Sequence, residues 1–437
     1  MIKVVKFGGS SVADGEQFEK VRQIVLQDPE RCVVVVSAAG KRGPEDHKLT
    51  DLLYLCHAHI QYGVSCGEIF QTIRERFVQL RDELGLAFAV EAELDRLEKK
   101  LDRDLSVDEL VSRGEYLTGR LMAEYLGFAF VDAADCVFFG PDGQIDSEKT
   151  YAAIAAARAA HGRILIPGFY GSLPSGRIKA MSRGGSDITG ALAAAAVGAD
   201  VYENWTDVSG ILMADPKIVP NPRPIARMTY DELRELSFMG ASVLHEDSIG
   251  PVREKGIALN IRNTNRPEDP GTLIVSRFGV EPEGDRFLTG VAGRRNFSIL
   301  TLSKQNMPVS QTLKQALEIL DRYHARLEHI TLGLDSFALV VSSAALGESL
   351  FDVVAELRKS CRPDDIRVQD GIALIAAVGR RMSFRPGISG RLFQALGEHG
   401  VNIRTLAQGA DELSIIIGVD NKHFETAIRV MYDGFAG

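Results

Sequence analysis

Two hydrophobic patterns alternate along roughly the first 290 residues of the chain. Short apolar runs predict strands at Ile2 to Phe7, Cys32 to Val36, Ile164 to Ile166, Val201 to Tyr202 and Ile257 to Ile261, and the run VVVV at 33 to 36 does not alternate, as expected for a strand covered on both faces. The segments between them repeat apolar residues every three or four positions, as amphipathic helices do. This alternation predicts an α/β domain with a largely parallel sheet, whose ligands bind at the carboxyl ends of the strands.

The helical segments of this region differ in character. The first follows Asp14 and Gln17, which have capping-box spacing, and should end near Pro29. Residues 68 to 104 are rich in charge and show helical periodicity without a strand, which predicts a helical excursion that acts as a solvated cover. Two alanine-rich segments, 152 to 160 and 191 to 197, predict helices packed closely on the sheet.

A change of pattern near residues 279 to 296 predicts a domain boundary. Beyond it we expect two rounds of the same order of elements: strand 297–303, helix 311–324, strands 328–333 and 336–342, helix 348–360, then strand 372–378, helix 387–399, strands 401–407 and 412–418, helix 421–433. Two such units of about 70 residues indicate a repeat. The predicted domains are therefore 1–290, 297–370 and 371–437.

Composition narrows the class of protein without identifying it. Apolar residues make up 45% and charged residues 25% of 437 residues, and no run approaches the ~20 apolar residues of a membrane span. The chain opens directly on a strand, so we expect no leader and a cytoplasmic location. A net charge of −9 argues against nucleic acid as a partner. The five scattered cysteines should be reduced, buried thiols.

The stretch VVKFGGSSVA, residues 4 to 13, places a lysine before two glycines at the end of a strand. It is not a Walker loop, which needs GxxxxGK[ST]. Gly8 and Gly9 would let backbone amides approach an anion, and Lys6 would add a positive charge beside them. A glycine pair after a strand is otherwise an ordinary turn, and this stretch alone decides nothing.

A second candidate site is MSRGGSDITGALAAAA, residues 181 to 196. Two glycines again follow a cation, Arg183, and Ser186 and Asp187 lie where a helix should begin. A helix start favours an anion, and a guanidinium suits a carboxylate or a phosphate. The alternative is a capped helix with a solvated arginine.

Two further stretches carry polar groups that could bind ligands. In SRGEYLTGRLMAEYL, we expect Glu115 at a helix start, where most glutamates only complement the helix dipole. In YENWTDVSGILMADP, a strand ends in Thr206 and Asp207, which could receive a nucleotide or merely cap a turn. Trp205 is equally an adenine platform or a core residue, and His245 is expected to be structural.

The motifs KFGGSSVA, SRGE, SRGGSD, WTDVSG and GASVLH occur in this order and together resemble the aspartate kinase family of amino-acid kinases. The resemblance covers nearly the whole chain. It implies that residues 1–290 form a catalytic domain with a mainly parallel eight-stranded sheet between helices, whose nucleotide-binding part is at about 200–290. Two ACT modules would follow this domain. The resemblance also implies transfer of the γ-phosphoryl group of ATP, carried with Mg²⁺, to the β-carboxylate of L-aspartate, with no separate metal site in the protein.

The same resemblance implies a role for each matched position. Lys6 would lie against the transferring phosphoryl group, oriented by Asp187, and Glu115 would bind the substrate ammonium. The remaining residues fall into two groups. Substrate binding is implied for Ser37, Thr50, Arg183, Gly184, Gly185 and Ser186, and nucleotide binding for Gly8, Gly9, Ser10, Thr206, Asp207, Gly210, Leu212, Asp215, Lys217 and Ser242.

Two positions depart from the family pattern, and the tail leaves regulation open. Leu212 and Ser242 stand where many members have tyrosine and lysine. The second module has Gly387 at its predicted helix start, whereas the first has no glycine there. The resemblance implies an amino-acid effector at these modules, but the sequence does not identify which amino acid it is. The modules imply a homodimer or a dimer of dimers. The alternatives are another carboxylate kinase of this fold, acting on glutamate or acetylglutamate, and an inert amino-acid sensor.

Overall fold

The computed structural model describes residues 1–182, 184–241, 244, 248–278, 288–380, 386–408 and 413–436. Three residues singled out above lie outside this range: Arg183, Ser242 and His245. Half of the segment in which the domain boundary was predicted, residues 279–287 of 279–296, also lies outside it.

Strands and helices of the described residues follow the alternation expected from the sequence. The strands are β1 (Lys3–Phe7), β2 (Arg31–Val36), β3 (Ala129–Phe130), β4 (Ile164–Pro167), β5 (Tyr170–Ser172), β6 (Ile178–Ala180), β7 (Val201–Thr206), β8 (Arg227–Thr229), β9 (Ala258–Asn263), β10 (Thr272–Val275), β11 (Leu288–Ser303), β12 (Leu327–Leu332), β13 (Ser336–Ser342), β14 (Asp365–Gly379), β15 (Ile403–Gln408) and β16 (Ser414–Asp420). The helices are α1 (Gly15–Gln27), α2 (Leu49–Gln61), α3 (Gly67–Glu83), α4 (Val90–Glu98), α5 (Val107–Leu126), α6 (Ala133–Cys136), α7 (Ser147–His161), α8 (Gly185–Val197), α9 (Tyr230–Phe238), α10 (Gly250–Glu254), α11 (Val309–Arg322), α12 (Ser343–Leu346), α13 (Leu350–Cys361), α14 (Ile388–Glu398) and α15 (Phe424–Ala436).

The chain divides into two compact units. The first contains residues 1–211, 224–230 and 243–280, and the second contains 212–223, 231–242 and 281–437. The division differs from a single boundary near 290, because two short segments before that boundary, 212–223 and 231–242, group with the C-terminal unit. None of the described helices is both long and apolar enough to cross a lipid bilayer.

An eight-stranded sheet forms the centre of the first unit, as predicted. Its strand order is β3-β4-β2-β1-β7-β9-β10-β8, and every neighbouring pair is parallel except β9 with β10. All six residues of β2 are buried, as expected for a strand that helices cover on both faces.

The register of the central strands aligns their carboxyl ends. Pro167 of β4 pairs with Val36 of β2, Val36 with Phe7 of β1, Phe7 with Trp205 of β7, and Trp205 with Arg262 of β9. The residue that follows each of these therefore lies at the same edge of the sheet. Ligands of open α/β sheets bind at this edge.

The helices of the first unit form largely where the pattern places them. The Asp14 carboxylate caps α1 by accepting a hydrogen bond from the Gln17 N–H at 2.9 Å, as the capping-box spacing predicts. The charged excursion between 68 and 104 is helical, in α3 and α4. It is more than a solvated cover, because Phe70, Ile73 and Phe77 of α3 are fully buried in the core.

The second unit contains a six-stranded antiparallel sheet of order β12-β13-β11-β14-β16-β15. Its two long strands each serve two modules. Residues 297–303 of β11 pair with β13 and with 365–372 of β14, while residues 288–294 of β11 pair with 374–379 of β14. The second module thus takes one strand from before residue 297, whereas the prediction was of two consecutive modules, 297–370 and 371–437.

Residues 212–223 pack within the second unit. Ala214 and Val219 belong to the same apolar core as Leu392 of α14. The Arg429 guanidinium donates to the Ile218 carbonyl at 2.8 Å. Part of the stretch predicted to receive the nucleotide is therefore built into the C-terminal unit.

A buried charge cluster lies beneath the ligand edge of the eight-stranded sheet. The Arg31 guanidinium bonds to the Glu203 carboxylate at 2.9 and 3.3 Å, and the Trp205 indole N–H donates to the same carboxylate at 2.9 Å. All three side chains are buried. Trp205 is the only tryptophan of the chain, so its fluorescence reports on this unit.

We expect Arg31→Met to destabilise the first unit by about 3 kcal/mol or more, because it leaves the Glu203 carboxylate buried and without its cation. The measurement is urea unfolding followed by Trp205 fluorescence. Arg22→Met is the matched control: Arg22 is exposed, lies 3.7 Å from Glu19, and should cost less than about 1 kcal/mol. Equal costs for the two variants would contradict a buried structural pair.

Candidate active site

Residues that follow the aligned strand ends bring several predicted site residues together. Gly8 follows β1, Ser37 follows β2 and Gly168 follows β4, while Thr206 is the last residue of β7. Backbone bonds join them: the Ser37 N–H donates to the Phe7 carbonyl at 3.1 Å, and the Gly8 N–H donates to the Trp205 carbonyl at 3.0 Å. The parallel register thus assembles residues that lie up to 198 positions apart in sequence.

An ion pair occupies the middle of this edge. The Lys6 ammonium lies 2.5 Å from Oδ1 of Asp187, which is in the first turn of α8, and the two side chains are 9% and 16% exposed. The same oxygen accepts a hydrogen bond at 2.9 Å from the side-chain amide of Asn204, on β7. Two donors therefore hold the carboxylate of Asp187, and the carboxylate in turn fixes the position of the lysine.

Glycines allow α8 to begin close to the loop after β4. Gly184 precedes the helix in the left-handed conformation, with φ of 79°. A Cβ atom on Gly168 would lie 2.6 Å from Cβ of Ser186, so only glycine lets that loop pass the helix start. Ser186, predicted to bind substrate, is buried at this contact. The structure therefore brings Gly184, Gly185, Ser186 and Asp187 to the edge where Lys6 lies.

The Gly8-Gly9 turn fits tightly against the loop that leaves β2. A Cβ on Gly9 would lie 2.9 Å from the Ala38 carbonyl oxygen, and the Gly40 N–H donates to the Gly9 carbonyl at 2.8 Å. A Cβ on Gly8 would project to 3.7 Å from the Lys6 ammonium. The space in front of that ammonium is thus kept free by a glycine, and Ser10 beside it is exposed.

Glu115 lies in the middle of α5, so its predicted place at a helix start is wrong. The helix begins eight residues earlier, where the Ser106 hydroxyl accepts from the Glu109 N–H at 3.2 Å. Gly114 suits a helix interior here, since a Cβ would lie only 3.0 Å from Cβ of Ala38. An interaction with the helix dipole, which is felt only in the first turn, therefore does not explain why a glutamate stands at position 115.

The Glu115 carboxyl is buried and only partly satisfied. The residue is 3% exposed, and Oε2 has no hydrogen-bond partner within the described part of the chain. Burial raises the pKa of Glu115 to about 8, although backbone donors at Ala38 and Glu115 and the charge of Arg113 oppose the shift. An acceptor atom left without a donor in a buried site indicates space for a ligand that donates.

The predicted nucleotide residues divide between the two units. Thr206 is half-buried, and its hydroxyl donates to the Asp207 carboxylate at 3.2 Å. Gly210 has φ of 95°, and a Cβ there would lie 2.5 Å from the Thr272 hydroxyl, so the turn requires glycine. The other described members, Leu212, Asp215 and Lys217, belong to the second unit, and their part in binding stays a prediction.

Trp205 is a core residue and not an adenine platform. It is 1% exposed, stacks on Phe7 with ring centroids 6.0 Å apart, and is flanked by the guanidinium groups of Arg31 and Arg262. Thr50, predicted to close the substrate pocket, lies in the first turn of α2 and is half-buried.

Sequence reasoning missed several residues that shape this edge. Asn204 lies two residues before Thr206 on β7, inside a strand whose apolar pattern gives no sign of a ligand-edge contact. Gly40 and Gly168 each follow the end of a strand, but they are single glycines without a neighbouring cation. The Thr264 hydroxyl, 2.7 Å from that of Ser11, had no motif to reveal it.

Among the described residues, no group of three or more histidine, cysteine, aspartate and glutamate side chains is placed to hold a metal ion.

Family models match both units. The model of the amino acid kinase family matches residues 1–263, and a model of the ACT domain matches residues 375–435. The chain belongs to the amino acid kinase family.

Within this family the chain is similar to aspartokinases over its whole length. It is 33% identical to aspartokinase 3 of Bacillus subtilis, over 99% of this chain and 98% of the relative. The crystal structure of Clostridium acetobutylicum aspartate kinase, described as an allosteric enzyme, is 42% identical with a TM-score of 0.90 over 99% of both chains. Escherichia coli aspartokinase III in complex with aspartate and ADP, in its R-state, is 28% identical with a TM-score of 0.77 over 100% of both.

We expect Glu115→Gln to change how the stability of this amino acid kinase depends on pH. Because the native pKa of Glu115 is about 8, the folded state binds its proton more tightly than the unfolded state does. Stability from this group is complete below its unfolded pKa of about 4.3 and is lost as pH rises toward 8, by at most about 1.4 kcal/mol per pH unit.

The measurement compares wild type and Glu115→Gln by urea unfolding, followed by Trp205 fluorescence, between pH 5 and pH 8.5. The variant should gain stability relative to wild type as the pH rises. Glu109→Gln, on the exposed face of the same helix, should keep the wild-type pH dependence. A constant difference between wild type and Glu115→Gln at every pH would show that the carboxyl titrates normally.

Proposed function

We propose that this amino acid kinase is an aspartate kinase. It transfers the γ-phosphoryl group of ATP to the β-carboxylate of L-aspartate and forms 4-phospho-L-aspartate, the first step toward lysine, threonine and methionine. The observation that carries the proposal is the Lys6–Asp187–Asn204 cluster at the aligned strand ends, in a chain similar to aspartokinases throughout.

The chemistry requires positioning and charge neutralisation more than proton transfer. The side chain of free aspartate has a pKa of about 3.9, so its carboxylate is already an ionised nucleophile at neutral pH. Two anions must be brought in line while negative charge on the phosphoryl oxygens is neutralised. No general base is needed for the attack.

Lys6 has the properties that this role demands. Its ammonium is nearly buried, and the Asp187 carboxylate holds it at one position. An electrostatic donor fixed before the reaction costs no reorganisation when charge develops. In this proposal Lys6 contacts the transferring phosphoryl group, Asp187 orients Lys6, and Asn204 orients Asp187.

Glu115 is the proposed partner of the substrate ammonium. Its orphaned Oε2 can accept a hydrogen bond from that ammonium, and an adjacent cation lowers the pKa of a carboxyl group. Binding should therefore release the proton of Glu115. The rest of the substrate is proposed to be held by Arg183, Gly184, Gly185 and Ser186. Ser37, which follows β2, and Thr50, in the first turn of α2, are proposed to bind it as well.

The Gly8-Gly9 turn and Ser10 are the proposed cradle of the ATP phosphates, and Thr206, Asp207 and Gly210 line the nucleotide side. Leu212, Asp215, Lys217 and Ser242 complete the proposed set. The fit rests on Gly8, which leaves the approach to the Lys6 ammonium free of a side chain. Mg²⁺, bound to the phosphates, would supply further neutralisation of their charge.

The C-terminal modules are proposed to bind an amino-acid effector and to form a homodimer or a dimer of dimers. Gly387 precedes α14 in the left-handed conformation, whereas Pro308 precedes the corresponding α11, so the two modules differ at the helix start. Five buried free cysteines support a reducing, cytoplasmic location.

Steady-state assays of ADP release with Mg-ATP test the proposal, with L-aspartate, L-glutamate and N-acetylglutamate as acceptors. We expect turnover with L-aspartate and at least about a hundredfold lower kcat/KM with the other two, since a site built for one chain length misplaces another carboxylate. Preferential turnover of glutamate would reverse the assignment. Binding of amino acids without turnover would indicate an inert sensor.

Lys6→Ala should reduce kcat by a hundredfold or more, the usual effect of removing one electrostatic donor of about 3 kcal/mol, while the fold and ATP binding persist. Lys3→Ala is the matched control. Lys3 lies on the same strand but pairs with Asp28 at 2.6 Å at the end of β1 that is away from the site. A Lys6→Ala enzyme within a few-fold of wild type would refute the role of Lys6.

A further inference from the structure

A buried guanidinium on α3 contacts the back of the proposed site. Arg76 lies in the segment that the sequence predicted to be a solvated cover, yet its side chain is only 5% exposed. Burial lowers its pKa, which means that keeping this cation out of water costs free energy. A cation is retained at such a place when its hydrogen bonds do something that an apolar side chain cannot.

The hydrogen bonds of Arg76 go to the two ends of one loop. One terminal nitrogen donates to the Gly40 carbonyl and the other to the His47 carbonyl, each at 2.6 Å. Asp46, in the same loop, lies 3.5 Å from the guanidinium. A planar guanidinium has the fixed geometry to hold two acceptors at once, and a lysine ammonium does not.

This loop, residues 40–47, joins two parts of the proposed substrate pocket. It begins three residues after Ser37 and ends three residues before Thr50. At its first residue, the Gly40 N–H donates to the Gly9 carbonyl at 2.8 Å, and a Cβ on Gly40 would lie 2.6 Å from the Gly9 carbonyl carbon. A shift of Gly40 therefore moves the glycine turn.

The docking of α3 does not depend on Arg76. Phe70, Ile73, Phe77 and Leu80 of the same helix are buried in the core of the first unit. The burial of these four apolar side chains holds the helix in place. The hydrogen bonds of Arg76 are thus directed at the loop and not needed to attach the helix.

We propose that Arg76 is a positioning residue for phosphoryl transfer. It clamps Gly40 and His47, so that loop 40–47 and the Gly8-Gly9 turn keep their catalytic geometry. This inference rests on the proposed kinase function. Arg76 touches neither substrate in this account. Its effect passes through the Gly40–Gly9 contact.

The first test is kinetic and uses Arg76→Met and Arg76→Lys in the full-length protein. A displacement of about 1 Å at a reacting centre can cost a hundredfold, so we expect kcat to fall by 10- to 100-fold in both variants. The KM for L-aspartate and the KM for ATP should change less than kcat does. Arg76→Lys should not rescue the rate, because it restores the charge without the two-carbonyl fork.

Arg74→Met is the control for a purely structural effect. Arg74 is on the same helix, also largely buried, and pairs with Asp95 and Glu98 of α4 at 2.8 and 2.7 Å. It should lower the melting temperature, as loss of those pairs requires, and leave kcat within two-fold of wild type. If Arg76→Met behaves in the same way, Arg76 only stabilises the fold and the proposal is overturned.

A second test reaches the same contact from its other side and still applies if Arg76→Met folds poorly. Gly40→Ala should push the glycine turn directly and reduce kcat by a similar factor. The Gly40→Ala/Arg76→Lys double variant should be no slower than the slower single variant, because both disturb one contact. Multiplication of the two effects in the double variant would contradict a shared path.

Hydrogen exchange measures the contact without relying on activity. In Arg76→Met and Arg76→Lys, the amide of Gly40 should exchange at least tenfold faster, while the amides of α3 keep their protection. Unchanged exchange at Gly40 would overturn the clamp. A wild-type protein without aspartate kinase activity would instead defeat the proposed function, and the exchange result would stand independently of it.

Discussion

The proposed site depends on one nearly buried ion pair, between the Lys6 ammonium and the Asp187 carboxylate. Neither residue could be placed so by its own neighbours in sequence, since Lys6 lies next to the end of a strand and Asp187 lies in the first turn of a helix 181 positions later. The parallel register of β1, β2 and β7 brings them to one edge, and Asn204 ties the carboxylate to the adjacent strand. A charge held in this way can act on a phosphoryl group without reorganising.

The glycines around this pair serve the same requirement. Gly8, Gly9, Gly40 and Gly168 each stand where a side chain would strike backbone, a neighbouring helix or the approach to the lysine. Their effect is to let four chain segments meet closely enough for backbone groups to contact one ligand. Arg76 extends this arrangement behind the site, since a clamp on the Gly40 carbonyl fixes the segment against which the Gly9 turn rests.

Local patterns in the sequence predicted what local physics determines. The Asp14 cap, the apolar run Cys32 to Val36 of β2 and the helix start at Ser186 and Asp187 follow from neighbours within a few residues. The prediction for Glu115 is wrong for an equally local reason, because the Ser106 cap with Glu109, and not Ser112 or Gly114, sets the start of the helix. Other features depend on distant partners. No local signal shows that β11 and β14 each serve two modules, or that residues 212–223 pack in the second unit.

The most direct test of the account is a crystal structure of the protein with L-aspartate, Mg²⁺ and a non-hydrolysable ATP analogue. The account predicts that the Lys6 ammonium lies within hydrogen-bonding distance, about 3 Å, of an oxygen of the terminal phosphoryl group, with the aspartate β-carboxylate in line on its other side and the substrate ammonium at Glu115. A nucleotide whose terminal phosphoryl group lies away from Lys6 and the Gly8-Gly9 turn would contradict it.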